Sequence, residues 1–488
     1  MRRVFGVFVS CCIVTLPVMA GDLTDPEPAP PVRPNVLLVV TDDQRRDGTL
    51  EFMPKTMQWL GLGGTQYTEA YSAAAICCPA RAGIWTGQYI HNNKVLTTAN
   101  VGGLLDEDST IQRYLKDAGY TTGAFGKFFN SFPTTRNPKY FDDYAFHNSG
   151  YTNVQFRHNG IVKTVPYSPT FVWNEALGFL GRTESDDTRP WYLYVSPYAP
   201  HSPWIPEEKY RTVLFPPWLG NPATLEVDRS DKPPHVQATV PLLSASVGAP
   251  WDRGPEGVTT LGEVGTNVPV DRHTYLRTLL TVDDMMDSLL SWLAANGELD
   301  NTLVIFTSDQ GYTWGEHGWY NKMVPYTTSI QVPFLMRWDA GGVAAGATSD
   351  RLVSGVDILP TILDAADLEA APAAAGKLHD GRSIFGPDGG REYVLTEFTS
   401  QNLPLTNPVP TWASIRAHDW QYVEYRNAQG GVTFRELYDL VADPWQLENR
   451  FRAANLVDPV TPAEAAALQA KLTAARACKG TTGALACP

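Results

Sequence analysis

Short apolar runs of strand length are the feature that most constrains the fold of this chain. Each run contains β-branched or aromatic residues and almost no charge, as expected for strands that are covered on both faces. The runs are NVLLVV at 35–40, TTGAF at 121–125, WYLYV at 191–195 and TLVIF at 302–306. Apolar residues at helical spacing occur between these runs, for example at 108–119 and 271–297. The alternation predicts an α/β fold with a large, mostly parallel sheet between helices.

The pattern of predicted secondary structure changes beyond residue 391. Antiparallel strands separated by turns are predicted at 393–398, 412–426 and 432–440. A closing helix is predicted from Pro462, with Thr461 as its N-cap. We therefore expect a main, catalytic domain over 35–385 and a smaller C-terminal α/β subdomain, carrying an antiparallel sheet, over 386–488.

The N-terminus has the pattern of an export signal. Two arginines precede an apolar run from Val4 to Met19, and small residues end the run. This predicts a signal peptide over 1–20, followed by a flexible, Pro- and acid-rich segment over 21–34. A lipoprotein signal at Cys11 or Cys12 is the alternative, although the apolar run continues past both cysteines. We expect a secreted, periplasmic or cell-surface protein without a stable membrane span.

The net charge bears on the kind of partner. The full chain carries a formal charge of −14, and removal of residues 1–20 takes away two arginines and no acid. The remaining 36 basic and 52 acidic residues give −16. Such a surface repels polyanions, which counts against a nucleic-acid partner. An anionic substrate would need a local basic pocket.

Four cysteines remain after the predicted cleavage. Cys478 and Cys487 flank a short tail of small residues, and in an exported protein they are expected to form a disulfide. Cys77 and Cys78 are adjacent, which does not match the Cys-x-x-Cys spacing of redox or zinc sites. A pair of small buried hydrophobic residues is the simplest interpretation of these two thiols.

Acidic and amide side chains follow two of the predicted strands. Asp42 and Asp43 come after the first run, and Asp309 and Gln310 follow the run at 302–306. Because the carboxyl ends of parallel strands meet at one edge of a sheet, we expect these side chains to lie together. A hard divalent cation would relieve their repulsion, and oxygen ligands favour Ca²⁺. Turn formation by Asp is the alternative.

Cys77 stands where a helix is predicted to begin. Pro79 suits a first helical turn, and the residues after it can continue the helix. The positive end of the helix dipole and its free N–H groups favour an anionic group at this point. Arg81 lies one turn further along and can fold back over the same spot.

At this point the sequence resembles a known family. CCPAR followed by GIWTGQY is similar to the Cys-x-Pro-x-Arg signature of the type I sulfatases. Further segments follow in that family's order: NVLLVVTDDQ, GYTTGAFGKFFN, APHSPW, TSDQGYTWGEHG and ELYDLVADP. Within the family, CCPAR, GKFFN and APHSPW resemble the N-acetylglucosamine-6-sulfatase and glycan sulfatase branch. The resemblance implies an alkaline-phosphatase-like fold, with the active site at the carboxyl edge of the large sheet.

The resemblance also implies a purpose for the adjacent thiols. In this family a formylglycine-generating enzyme oxidises the first cysteine of the signature to Cα-formylglycine. Cys77 would then be the modified residue, and Cys78 would fill the variable position. One hydroxyl of the hydrated aldehyde would attack sulfur, and the other would release sulfate as the aldehyde reforms.

Roles for other residues follow from the same resemblance. One Ca²⁺ per chain would be held by Asp42, Asp43, Asp309, Gln310 and the group at position 77. Arg81 would hold the formylglycine, while Lys127 and Lys322 would bind sulfate oxygens. His201 would contact the sulfate or protonate the leaving oxygen. His317 is a further candidate for substrate binding.

The sequence departs from the family pattern at several positions. Ala80 stands where a serine is usual, which bears on recognition by the modifying enzyme. Thr327 and Gln331 replace an acidic and a basic residue after Lys322, and this weakens the expected pairing behind that lysine. Phe129 occupies a position that is histidine in some branches, so no catalytic histidine is expected there.

The expected function is that of a Ca²⁺-dependent sulfuric ester hydrolase acting on an O-sulfated sugar of the glucosamine-6-sulfate type. An aryl sulfate would fit the same chemistry, and a phosphate or phosphonate monoester hydrolase is an alternative on the same fold. If Cys77 remains a thiol, an inactive sulfate- or glycan-binding protein is a further alternative. Aromatic residues beside the motifs either stack on the substrate or pack in the core: Tyr198, Trp204, Trp314 and Trp319.

Overall fold

The structure is a computed structural model of the 488-residue chain. The residues it describes are Met1, Gly6, 33–99, 101–133, 135–185, 188–239, 272–387, 391–401, 408–452 and 458–488. Residues 33–488 form one compact unit. The predicted signal peptide and the segment after it lie almost wholly outside the described residues. The division expected at residue 385 stays a prediction.

The strands of the described residues belong to a ten-stranded sheet, a four-stranded sheet and a short hairpin. In chain order they are β1 Asn35–Thr41, β2 Thr65–Tyr71, β3 Thr121–Lys127, β4 Asp143–His147, β5 Thr152–His158, β6 Ile161–Tyr167, β7 Trp191–Ser196, β8 Thr302–Ser308, β9 Thr313–Trp314, β10 Tyr320–Asn321, β11 Phe334–Arg337, β12 Ala347–Ser354, β13 Val394–Phe398, β14 Thr411–Arg416, β15 Trp420–Arg426 and β16 Val432–Asp439. The large sheet has the order β12-β2-β11-β8-β1-β7-β3-β4-β5-β6.

Among the described residues, all α-helices but three have ten residues or fewer. The α-helices are α1 Pro54–Thr56, α2 Cys77–Thr86, α3 Ile90–Asn93, α4 Val101–Leu104, α5 Ile111–Asp117, α6 Ser168–Glu184, α7 Pro234–Gln237, α8 Arg272–Ala295, α9 Thr327–Ile330, α10 Ile358–Ala365, α11 Ala371–Ala374 and α12 Pro462–Ala477. Within the described residues, no helix is long and apolar enough to cross a membrane.

The large sheet lies between two layers of helices. Its central strand β1 pairs in parallel with β7 and β8 and is buried along its whole length. Val36, Leu38 and Val40 face one core, which also contains residues of α2, α5 and α10. Leu37 and Val39 face the other core, with residues of α6 and α8. Burial on both faces is why these strands are continuously apolar, and the predicted α/β sheet between helices is confirmed.

The four-stranded sheet β13–β16 is antiparallel and carries α12 on one face. Thr461 caps α12 by accepting a hydrogen bond from the Glu464 N–H, as the sequence predicts. The disulfide between Cys478 and Cys487 is also present and follows this helix directly.

Candidate active site

The ends of β1 and β8 bring the predicted acidic residues together. The two strands are in register, and the Asp309 N–H donates to the Thr41 carbonyl at the sheet edge (3.2 Å). The Asp43 N–H then donates to Asp309 Oδ1 over 3.1 Å. Asp43 has a φ of 68°, and this left-handed conformation, which Asp adopts more readily than most residues, turns the chain at the strand end. Gln310 completes the group by donating its side-chain amide to Asp43.

Each buried carboxylate of this group faces a buried cation. Lys127, at the end of β3, forms an ion pair with Asp42. Lys322 Nζ lies 2.6 Å from Asp43 Oδ1, and Arg81 Nε lies 2.8 Å from Asp309 Oδ2. All six side chains are at most 3 % exposed. The structure thus brings together residues from five separate parts of the chain, in a formally neutral cluster.

The pKa values of the carboxylates reflect burial opposed by these cations. Burial alone would raise the pKa of Asp42, but Lys127 and the cations around it hold that pKa well below its usual range. For Asp309 burial is the larger influence, and it raises the pKa against the opposing charge of Arg81. Asp42 is therefore a carboxylate, which is the form that binds a cation.

Helix α2 carries Cys77 and Arg81 into this cluster. The helix begins at Cys77 after the extended residue Ile76 and ends at Gly87, whose φ is 64°. The guanidinium of Arg81 also donates to the hydroxyls of Tyr194 and Ser196, over 2.9 and 2.6 Å. These two hydroxyls come from β7, and the sequence analysis missed them. Their signal was weak, because Tyr and Ser in a buried strand look like ordinary packing residues.

The two adjacent thiols have different electrostatic environments. A hydrogen bond with Cys78 and the positive charges of Lys127 and Lys322 lower the pKa of Cys77 well below its usual value, although burial opposes them. Burial raises the pKa of Cys78. Both sulfur atoms lie near Asn130 Oδ1, Cys77 at 3.8 Å and Cys78 at 3.5 Å. The environment at position 77 therefore stabilises negative charge.

His201 reaches the cluster from the loop after β7. Its Nε2 lies 3.5 Å from Asp43 Oδ2. Its Nδ1 lies 2.6 Å from the Ser202 carbonyl, which can only accept, so Nδ1 carries the proton in the neutral ring. Burial lowers the pKa of His201, which favours that neutral form. Nε2 therefore directs its lone pair toward the carboxylates.

The donor set fits a hard divalent cation. One ligand atom from each of Asp42, Asp43 and His201 lies within 4.8 Å of the others. Two buried oxygens, Asp42 Oδ1 and Gln310 Oε1, have no hydrogen-bond partner among the described residues. Asp42 Oδ1 has only an ion-pair contact of 3.8 Å with Arg81 Nη2 among the described residues, and buried oxygens without a hydrogen bond are costly unless they meet a donor or a cation.

His317 occupies a different place in the structure. Its ring nitrogen Nδ1 lies 2.8 Å from Glu226, and its ring packs on Tyr326 with centroids 4.0 Å apart. Its carbonyl accepts from Arg229 over 2.9 Å. None of the contacts described for His317 reaches the acidic cluster, and its assignment to substrate binding stays a prediction.

The aromatic residues beside the motifs pack in the core. Trp314 is fully buried, and the other three are at most 6 % exposed: Tyr198, Trp204 and Trp319. Tyr198 lies between two site residues, with its ring 5.4 Å from Lys127 Nζ and 4.7 Å from the His201 ring. Tyr198 thus packs against both Lys127 and His201 and supports their positions.

The fold and this cluster define a hydrolase with an alkaline-phosphatase-like α/β fold. Its site lies at the carboxyl edge of the large sheet. The sulfatase family model matches residues 34–368, and a model for the C-terminal part of N-sulphoglucosamine sulphohydrolase matches residues 315–476. The chain therefore belongs to the sulfatase family, and it is a sulfuric ester hydrolase.

Relatives and solved structures agree with this family. An extracellular sulfatase SULF-1 homolog of Drosophila melanogaster is 31% identical over 368 residues, which are 72% of this chain but only 31% of that protein. An N-acetylglucosamine-6-sulfatase of Capra hircus is 28% identical over 492 residues, covering 88% of this chain and 81% of the relative. A solved structure of a protein in complex with its substrate D-glucosamine-2-N,6-O-disulfate has a TM-score of 0.71 at 22% identity, covering 90% and 97% of the two chains. That last likeness concerns the fold.

Proposed function

We propose that the protein removes sulfate from an O-sulfated sugar of the glucosamine-6-sulfate type, with Ca²⁺ and a formylglycine derived from Cys77. The observation that carries this proposal is the position of Cys77 among buried charges. Lys127 and Lys322 both lower the pKa of its side chain, and both are ion-paired with the acidic cluster. An anionic group bound beside residue 77 would meet two ammonium groups that are already desolvated. The sugar class is supported by the N-acetylglucosamine-6-sulfatase relative.

The charge of the cluster favours a sulfate ester. Three carboxylates and three cations sum to zero, so a bound divalent cation would leave a charge of +2. A sulfate monoester carries one negative charge, and an ionised nucleophile beside it adds a second. A phosphate monoester dianion with the same ionised nucleophile would bring three negative charges and exceed this balance. The neutral cluster thus supports sulfate over phosphate as the group at the site.

Each site residue has a proposed task. Asp42, Asp43, Asp309 and Gln310 would hold the cation, and the geometry adds His201 as a candidate ligand. When bound, Ca²⁺ would supply Lewis-acid polarisation of the sulfate.

Arg81 would fix residue 77 and the carboxylate of Asp309. Lys127 and Lys322 would bind sulfate oxygens. To contact the sulfate as a donor or deliver a proton to the leaving oxygen, His201 would need a proton on Nε2 as well, since its Nδ1 proton is held by the Ser202 carbonyl; this role and that of cation ligand are therefore alternatives.

The path to the mature enzyme is also a proposal. We propose that a formylglycine-generating enzyme acts on Cys77 during maturation and that the protein is exported. The relative named as an extracellular sulfatase supports the export.

Two comparisons of rates test this proposal directly. One uses the sulfate and phosphate esters of a single alcohol, and the other uses sulfates at different positions of glucosamine. We expect 4-nitrophenyl sulfate to be cleaved faster than 4-nitrophenyl phosphate, and glucosamine 6-O-sulfate to be desulfated in preference to the 3-O- and N-sulfates. A faster rate on the phosphate ester would contradict the charge argument. Cleavage of the aryl sulfate without any sugar sulfate would restrict the function to an aryl sulfatase.

A further inference from the structure

The segment that follows Lys322 is held against the C-terminal sheet by hydrogen bonds at several of its residues. The Met323 carbonyl accepts from Trp412 Nε1 over 2.8 Å, and the Pro325 carbonyl accepts from Gln421 Nε2 over 2.7 Å. One donor lies on β14 and the other on β15. Lys322 therefore sits at the start of a segment whose backbone is held by a sheet distant in sequence.

The next contact in this series is a buried carboxylate on β16. Tyr326 donates its hydroxyl to Glu436 Oε1 over 3.0 Å. Two further hydroxyls donate to the same carboxylate, from Tyr438 over 2.8 Å and from Tyr425 over 2.9 Å. Glu436 is completely buried, and among the described residues no cation forms an ion pair with it. A carboxylate held by three hydroxyls in this way fixes the ring of Tyr326 from the side of the sheet.

The other end of the segment is tied to the acidic cluster. Lys322 Nζ lies 2.6 Å from Asp43 Oδ1, and the Met323 N–H donates to the Ala75 carbonyl over 3.1 Å. Ala75 lies two residues before Cys77. The same short segment therefore contacts the C-terminal sheet, the entry to helix α2 and the site.

We propose that Glu436 is a positioning residue for Lys322, acting through Tyr326, so that the C-terminal sheet sets where this lysine presents its ammonium group. The inference rests on the proposed function, in which Lys322 binds a sulfate oxygen. Glu436 itself touches none of the site residues, and its effect passes through the ring of Tyr326 and the backbone between Tyr326 and Lys322.

The charges around Glu436 are engaged elsewhere. Lys232 Nζ lies 5.2 Å from the Tyr438 ring, but its ion-pair partners are Asp231 at 3.0 Å and Glu226 at 3.2 Å. The other titratable or charged groups packed around the three tyrosines are Arg229, His235 and His317. Burial raises the pKa of Glu436 to about 7 against the opposing charge of Lys232 and the three hydroxyls. The ionised form holds the three hydroxyls more strongly than the acid form, because hydrogen bonds to a charged acceptor are stronger than those to a neutral one.

Two variants and two matched controls test the inference. The variants are Tyr326→Phe and Glu436→Gln. The controls are Tyr422→Phe and Glu424→Gln, since Tyr422 donates to Glu424 over 2.8 Å in the same sheet and Glu424 is equally buried. The ion pairs described for Glu424 are with Arg426 and Arg435, outside the Lys322 segment.

We expect Tyr326→Phe to raise KM for 4-nitrophenyl sulfate about tenfold, with a smaller change in kcat, because one hydrogen bond to a charged group is lost. The dissociation constant for inorganic sulfate, measured by calorimetry, should rise by the same factor. Glu436→Gln should raise KM about threefold, since it keeps one acceptor. It should also remove the part of the pH dependence of KM that falls near pH 7. Both controls should leave KM unchanged.

A double-mutant cycle separates positioning from a general loss of structure. In a Lys322→Ala background, Tyr326→Phe should cause no further loss of sulfate binding. Additive losses, or controls that raise KM as much as the variants, would overturn the inference. Should Tyr326→Phe fail to fold, the KM of Glu436→Gln decides, compared with that of Glu424→Gln and measured again in the Lys322→Ala background. A wild type that binds sulfate but cleaves no sulfate ester would contradict the proposed function, and the calorimetry would still test the positioning role.

Discussion

Arg81 Nε donates to Asp309 Oδ2 over 2.8 Å, and both side chains are almost completely buried. The same guanidinium bonds Tyr194 and Ser196, so one residue of helix α2 connects the ends of β8 and β7. A planar group with several donors is needed for three partners in different directions. The helix that carries Cys77 is thus fixed to the large sheet through this side chain.

Arg81→Lys should be far from conservative. Lysine keeps the charge but cannot reach Asp309 and both hydroxyls together, so buried polar groups lose partners. We expect a loss of about 2–4 kcal/mol in the free energy of unfolding, measured by urea denaturation. The kcat/KM for a sulfate ester should fall by about a hundredfold or more. Tyr194→Phe, which removes one of the three partners, should cost about 1 kcal/mol. Equal effects of the two variants would contradict a central role for Arg81.

Conversion of Cys77 is directly measurable. The peptide that contains Cys77 should have a mass lower by about 18 Da than its thiol form, because the residue becomes an aldehyde. Cys77→Ala should abolish turnover, whereas Cys78→Ala should keep both the mass shift and most of the activity. A fully active protein whose Cys77 peptide retains the thiol mass would exclude the formylglycine mechanism. An inactive, unconverted protein that binds sulfate would instead support the binding-protein alternative.

Calcium should stabilise the folded protein through the acidic cluster. At a concentration about 100 times its Kd, a ligand that binds only the native state adds about 2.7 kcal/mol to the free energy of unfolding. We therefore expect Ca²⁺ to raise the Tm and a chelator to reverse the change. Asp43→Asn should remove this response. Asp117→Asn serves as the control, since Asp117 is an exposed carboxylate paired with Arg113. A calcium response that persists in Asp43→Asn would place the ion elsewhere.

The sequence predicted the parts of the site that follow from strand ends and helix starts. Asp42 and Asp309 both face Arg81 at one edge of the sheet, as expected for the carboxyl ends of parallel strands, and their role as metal ligands stays a prediction. The helix at Cys77 and the disulfide in the tail were equally local inferences, and the structure contains both. The ion pair between Lys322 and Asp43 spans 279 residues, and only the resemblance to a family suggested that they meet.

The support behind Lys322 could not be predicted from local pattern. The sequence predicts weak pairing behind this lysine, because Thr327 replaces an acidic residue. In the structure the Thr327 N–H donates to Gln446 Oε1 over 2.8 Å, and Tyr326 reaches Glu436. Glu436 lies on β16 and Gln446 in the segment that follows this strand, so the contacts depend on tertiary packing. One signal existed: Glu436 stands between Phe434 and Tyr438 on the same face of a predicted strand, where an apolar residue is usual.

Glu436 should make the stability of the protein depend on pH. Its pKa in the folded protein is about 7, above the ordinary value of 4.5. Between these two values the native state holds a proton that the unfolded chain has released. The stability linked to Glu436 is therefore fully present below pH 4.5 and is lost as the pH rises through 7.

Urea unfolding at about pH 5 and about pH 8 measures this dependence. Relative to Glu436→Gln, the wild type should lose up to about 3 kcal/mol between the two conditions, because glutamine does not titrate. Glu424→Gln controls for the loss of a buried carboxylate in the same sheet and should follow the wild type. Positioning of Lys322 changes in the opposite direction, since the hydroxyls bind the ionised carboxylate more strongly than the neutral acid. Parallel pH profiles for the wild type and Glu436→Gln would show that Glu436 does not titrate in this range, and the pH dependence of KM assigned to it would then be wrong.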